Sequence, residues 1–171
     1  MSDINSCSTS VNSPAVLCDR ATFFGTAYHK VSEKNQVAIP KPLKQVLDKA
    51  QEGQLLLMRW QEEPFLRLYT KKQFDKKLDE VKQNLEINIA QKQQIVDYMA
   101  RMAEVIEPDA QSRFVLPAKW MDALKIREEV AFCGAFTFIK IWPAELHREI
   151  EKAEVEKLAA VTEQVTNILN M

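Results

Sequence analysis

Val31-Ser-Glu-Lys-Asn-Gln-Val-Ala-Ile-Pro40-Lys-Pro-Leu-Lys-Gln-Val-Leu47 and Pro108-Asp-Ala-Gln-Ser-Arg-Phe-Val-Leu-Pro117-Ala-Lys-Trp-Met-Asp-Ala-Leu124 align without a gap. Each reads as a polar turn, a short apolar run, a proline and an amphipathic helix. Leu43 and Leu47 fall opposite Trp120 and Leu124, apolar residues four apart on one helical face. Each proline sits where a strand must end and a helix can begin. Its fixed φ suits a helix start, and it has no N–H to give to a ladder.

The flanks repeat as well. After the first helix come Gln54-Leu-Leu-Leu-Met58, a polar loop ending at Pro64, and Phe65-Leu-Arg-Leu-Tyr69. After the second come Val130-Ala-Phe-Cys133, Gly134-Ala135, and Phe136-Thr-Phe-Ile-Lys-Ile-Trp142. Both are pairs of apolar strands joined by a turn, and each leads into a helical pattern, from Lys71 and from Pro143. Phe24-Gly-Thr-Ala-Tyr-His-Lys30 and Met102-Ala-Glu-Val-Ile-Glu107 suit the strands that precede them. Similarity this long, at a spacing of about 75 residues, points to duplication of one β-rich unit.

Between the units, Phe74, Leu78, Val81 and Leu85 predict one amphipathic helix, and Ile95, Tyr98, Met99 and Met102 a second. A break is expected over Ile87 to Gln93. Leu146, Ile150, Ala153, Leu158, Val161, Val165 and Ile168 share a face of a C-terminal helix of about 25 residues. Its overhang is expected to pack on another subunit or on the rest of the chain. The resulting division is an N-terminal arm over 1–22, a first unit with its helix over 23–88, a helix and second unit over 89–143, and a C-terminal helix over 144–171.

Composition narrows the function classes. The 171 residues, 46% of them hydrophobic, suffice for a packed core. Only three glycines argue against a Gly-rich phosphate loop. Cys7, Cys18 and Cys133 form no CxxC and no zinc spacing with His29 or His147, so a reduced chain without a metal is expected. Both histidines read as isolated surface or edge residues. No run approaches the length of a membrane span, and Met1 to Asn12 lacks the pattern of a secretory signal. No nucleophile lies beside a base, and no carboxylate pair stands out, so an enzyme is not expected. The net charge of −1 means that any nucleic-acid surface must come from local clustering or from repetition in an oligomer.

Asp109-Ala-Gln-Ser-Arg113 is the most informative short stretch. Its carboxylate can accept backbone N–H bonds and fix the turn. Arg113 then starts the strand at a defined angle, able to make bidentate contacts to phosphate or guanine. The competing reading is an ion pair that only braces the turn.

These residues, followed by Phe114-Val-Leu-Pro117, resemble the MraZ family, bacterial regulators of the division and cell-wall gene cluster. That family carries two AbrB-like swapped-hairpin units, each with an Asp-x-x-x-Arg turn before three apolar residues and a proline. Phe24-Gly25, the strand-ending aromatics Tyr69 and Trp142, and the helix after each fit the same order, over about residues 23 to 155. The resemblance implies an α+β fold of tandem duplicated swapped-hairpin units with connecting helices and a long C-terminal helix. It also implies ring-like homo-oligomers that meet tandem promoter repeats in double-stranded DNA, without a cofactor, a small-molecule substrate or a membrane, in the cytoplasm at the nucleoid.

The first unit departs from the motif. Ser32 stands at the Asp position and Gln36 at the Arg position. Ser32 can still accept a turn hydrogen bond, and Gln36 can read an adenine edge without bringing charge. At the glycine position of the turn stand Asn35 and Ser112, of which Asn35 adopts the left-handed conformation more readily. Charge is distributed the other way. Residues 30–49 hold five lysines and two acids, a net +3, and residues 109–125 three basic residues and two acids, a net +1. Lys30, Lys34 and Lys41 are the expected phosphate contacts of the first unit and Lys119 that of the second. Direct readout falls to Arg113, Gln111 and Gln36, and turn fixing to Asp109, Ser32 and Asn35. Two other classes compete with a regulator: an AbrB-fold interaction scaffold that has lost specific DNA binding, and an antitoxin.

Overall fold

The computed structural model describes residues 21–51, 53–159 and 161. Most of the expected N-terminal arm, with Cys7 and Cys18, lies outside them, as do Val165 and Ile168 of the C-terminal stripe. The fold is α+β. The first unit runs β1 (Thr26–Lys30), β2 (Gln36–Ala38), α1 (Lys41–Lys49), β3 (Leu55–Met58), β4 (Leu66–Thr70) and α2 (Lys71–Gln83). After α3 (Ile89–Met102), the second repeats the order with β5 (Glu104–Ile106), β6 (Arg113–Val115), α4 (Ala118–Leu124), β7 (Glu129–Gly134), β8 (Ile139–Pro143) and α5 (Ala144–Ala159).

The units exchange strands. β3–β4 and β7–β8 are antiparallel hairpins that join through β4 and β8. The first strand of each unit pairs with the hairpin of the other, β1 with β7 and β5 with β3. The six-stranded order β1-β7-β8-β4-β3-β5 is therefore the same read from either end, with one unit substituted for the other. β2 and β6 form a separate two-stranded antiparallel ribbon, centred on the pair Val37–Phe114.

The interlocked units share one apolar core. Val37 and Phe114 are buried, and so are Leu43, Leu47, Trp120 and Leu124 from the two equivalent helices. They share one core with Leu55, Leu57, Phe132 and Ile141 of the sheet. A fully buried side chain of this size contributes about 1.5–3 kcal/mol, and each hairpin is flanked by a strand of the other unit. Pro40 and Pro117 stand immediately before α1 and α4, at φ −56° and −57°. Gly134 lets the chain entry approach β7: a Cβ there would lie 2.4 Å from the Phe23 carbonyl carbon.

Several boundaries differ from expectation. α2 ends at Gln83 and α3 starts at Ile89, so the break is 84–88 and not Ile87 to Gln93. Asn88 causes this, because its side chain accepts from the Gln91 N–H while Gln91 returns a bond to the Asn88 N–H, closing a capping box. Leu85 consequently leaves the α2 stripe and is almost fully exposed. Phe136 does not begin β8. It takes φ +61° and bridges Phe23, and β8 starts at Ile139. Met102 ends α3 and does not open β5. α5 is described over 16 residues. Its start packs on β7 and β8, whereas every residue from Glu151 to Ala159 is exposed. Within that run, Glu151 accepts from Tyr28 Oη of β1 at 3.3 Å.

Candidate nucleic-acid interface

The two turns close in the same way. The Ser32 N–H donates to the Gln36 carbonyl at 2.9 Å, and the Asp109 N–H to the Arg113 carbonyl at 2.8 Å. The Asn35 N–H reaches back to the Ser32 carbonyl at 2.9 Å, and the Ser112 N–H to that of Asp109 at 2.8 Å. Asn35 and Ser112 both take the left-handed conformation, φ 58° and 60°, which a side chain with a Cβ adopts at a cost. Their carbonyls then cross between units, to the Leu116 and Ile39 N–H groups, each at 2.8 Å. The turns therefore hold each other at opposite ends of the β2–β6 ribbon.

The turns differ in what the side chains do. One Asp109 oxygen, Oδ1, accepts from the N–H groups of Gln111 (2.9 Å) and Arg113 (2.8 Å). The other, Oδ2, accepts from Arg113 Nε (3.0 Å) and lies 2.9 Å from its Nη2. The Arg113 backbone N–H, followed by its side chain, holds the Asp109 carboxyl below the usual carboxylate range. Asp109 braces the turn, and it also aims the guanidinium by one edge, leaving the Nη1–Nη2 edge for another acceptor. In the first turn, Ser32 Oγ accepts from the same two positions, the N–H groups of Lys34 (3.3 Å) and Gln36 (3.1 Å). It has no second oxygen for the Gln36 side chain.

The ribbon has two faces, because side chains alternate along a strand. Val37 and Phe114 point into the core. Gln36 is opposite Val115 and Ala38 opposite Arg113, and these four make the outer face. Val115 is 51% exposed, a large apolar side chain left in water beside a charged one. Sequence reasoning named Arg113 and Gln36 but missed Val115 and Ala38. The period-two alternation of Gln36-Val-Ala38 and Arg113-Phe-Val115 was the signal that could have found them.

The remaining predicted residues lie near the ribbon in sequence, on the turns, the helix starts and the end of β1. Lys34 and Gln111 occupy equivalent, exposed turn tips. Lys41 is exposed at the first position of α1, and Lys30 is exposed at the end of β1. Among the described residues, Lys30, Lys34 and Lys41 make no ion pair. Lys119 is engaged differently. It pairs with Glu104 and lies 4.7 Å over the Trp120 ring.

The histidine reading needs correction. His147 is not isolated: its Nδ1 is 2.7 Å from Tyr28 Oη and its Nε2 3.0 Å from Cys133 Sγ. Strands β1 and β7 thereby pin α5. This thiol–imidazole contact could not be seen as a sequence neighbourhood. Burial pushes the Cys133 thiol up, the opposite of what an activated nucleophile requires. Among the described residues no cluster of His, Cys, Asp and Glu could hold a metal ion, and no helix is long and apolar enough to cross a membrane.

The family profile described as MraZ protein, antitoxin-like, matches residues 99–168, which include the second turn. A transcriptional regulator MraZ of Bacteroides thetaiotaomicron is 26% identical over 145 residues, 85% of this chain and 92% of that protein. One from Bacteroides fragilis is 28% identical over 123 residues, 72% and 78% of the two chains. One from Flavobacterium psychrophilum is 24% identical over 149 residues, 87% and 94% of the two.

Proposed function

We propose, from its similarity to the MraZ transcriptional regulators, that the chain is a DNA-binding regulator of that family whose β2–β6 ribbon and two turns form the contact surface. The family is non-enzymatic, and its named relatives are transcriptional regulators. The observation that carries the DNA assignment is the second turn. Asp109 uses both oxygens to fix the backbone and aim Arg113, and a pre-aimed guanidinium on a two-stranded ribbon suits a major groove.

In this reading Arg113, Gln111 and Gln36 meet base edges, and Lys30, Lys34, Lys41 and Lys119 meet phosphates. Asp109, Ser32 and Asn35 set the turns. The two units, 23–88 and 89–143, act as one body through their exchanged strands. The arm over 1–22 has no assigned DNA role, and the helix over 144–171 serves assembly. A unit of net charge +1 to +3 binds DNA weakly at physiological salt. Linked copies in a ring on tandem promoter repeats raise avidity by ~10²–10⁴. The target is the division and cell-wall gene cluster, the setting the cytoplasmic nucleoid, and no cofactor is needed.

The test is binding of the purified protein to DNA upstream of its own gene cluster, in a salt series, against a scrambled duplex. Specific binding with a steep salt slope is expected. Equal affinity for the scramble would sink the regulator reading. A second reading, an interaction scaffold on the same fold, has its own support in the unbraced Gln36 and in the exposed run from Glu151 to Ala159. Absence of DNA association at low salt would favour it.

A further inference from the structure

We infer, building on the DNA-binding reading of this same face, that the ribbon specifies two different base pairs two steps apart. Arg113 reads the guanine of a G·C pair. Gln36 and Val115 together read one A·T pair, the amide on adenine and the valine on the thymine methyl group.

The register supplies the argument. Gln36 and Val115 are directly opposite on the outer face, and so are Ala38 and Arg113. Side chains opposite each other in an antiparallel pair have Cβ atoms about 4.5–5.5 Å apart, so each couple can meet the two bases of one pair. A glutamine amide matches adenine, donating to N7 and accepting from the N6 amino group. The partner base then presents a methyl group in the same groove. Val115, half exposed, is the apolar surface placed to meet it. At the other couple, Arg113 keeps its Nη1–Nη2 edge for guanine O6 and N7, because Asp109 Oδ2 takes Nε and the opposite side of Nη2. Cytosine carries no methyl group, and Ala38 facing it offers little apolar reach.

Spacing agrees. Arg113 and Val115 are two residues apart on one strand, about 6.6–6.8 Å, which equals two rises of about 3.4 Å along duplex DNA. With the ribbon lying along the groove, one DNA strand presents a guanine and, two positions away, a thymine. Two identical turns would present two arginines and select a palindrome. The substitution of Gln36 makes the face directional, as a site repeated head to tail requires.

The experiment uses the full chain and a duplex library randomised over the contacted segment. Enriched sequences should carry a guanine and a thymine two positions apart on one strand. In the selected duplex, deoxyuridine in place of that thymine removes only the methyl group and should weaken binding about three- to fivefold. In Val115→Ala, whose side chain leaves no cavity in the core, thymine and deoxyuridine should bind alike. Enrichment without thymine–uracil discrimination overturns this inference and leaves the regulator reading standing. No enrichment at all removes both.

Discussion

The turns at Ser32–Gln36 and Asp109–Arg113 share a backbone and differ in chemistry. Their closing bonds agree to within 0.1 Å, and their left-handed residues lie at φ 58° and 60°. One uses a hydroxyl where the other uses a carboxylate, and both satisfy the same two N–H groups. What the hydroxyl cannot do is hold the fifth residue's side chain. Turn architecture and side-chain aiming are thus separable functions of a single position, and duplication has kept the first in both copies and the second in one.

The largest effect that separates the two turns should come from Arg113→Ala. Loss of the aimed guanidinium is expected to weaken specific binding by about 1–3 kcal/mol, against a smaller loss for Gln36→Ala, whose side chain is not pre-aimed. Competition titrations with one labelled duplex compare them directly. Equal losses would mean that the brace at Asp109 contributes nothing to recognition.

Asp109→Ser places the first turn's chemistry in the second. The backbone bonds should survive, so the melting temperature should move by less than about 4 °C. Affinity should fall, but by less than the Arg113→Ala loss. The same contrast carries a pH signature. The Asp109 carboxyl is held below its usual range, chiefly by the Arg113 N–H. Its contribution is present above the ordinary carboxylate range and disappears as pH falls through the lowered value. Wild-type affinity should decline there with a component that Asp109→Ser lacks. Superimposable pH profiles would show that ionised Asp109 does not aim Arg113.

The reverse graft, Ser32→Asp with Gln36→Arg, should supply the missing brace and raise affinity for a duplex carrying guanine at both contacted positions, by about 1 kcal/mol. Selection from a randomised library should then move from a directional site toward a palindromic one. A variant that still selects the directional site would place the asymmetry somewhere other than this ribbon.

The gapless match of the two stretches was enough to read the repeated unit, because the apolar spacing of Leu43, Leu47, Trp120 and Leu124 is local. Strand partners are not local. Nothing in Thr26–Lys30 says that it pairs with β7 and not with its own unit's hairpin, and only the family resemblance pointed to exchange. The Asn88 capping box was legible as Asn followed three residues later by Gln, yet the apolar stripes drew the break too late. His147 shows the same limit: Tyr28 lies 119 residues from it in sequence, and Cys133, 14 residues away, is reached only once β7 and α5 have packed. In the interface, charge and hydrogen-bonding capacity marked Arg113 and Gln36. Val115 looked like one more apolar strand residue until pairing showed which face it occupies.

The smallest expected effects concern the lysines, and they run opposite to the base contacts. The first unit, which lost its aimed side chain, keeps Lys30, Lys34 and Lys41 exposed and without an ion pair among the described residues. The second unit's Lys119 is already held by Glu104 and the Trp120 ring. A lysine that displaces a counterion from DNA changes the slope of log affinity against log salt by about one. Lys34→Ala, at the tip of the first turn, should therefore reduce the slope by about one with little change in sequence preference. Lys119→Ala should change it by less, because reaching a phosphate would first cost its pairing with Glu104. Slopes measured on specific and scrambled duplexes for both variants decide the matter. A larger change for Lys119 than for Lys34 would mean that the second unit carries the backbone contacts as well as the aimed arginine, leaving the first turn as scaffolding alone.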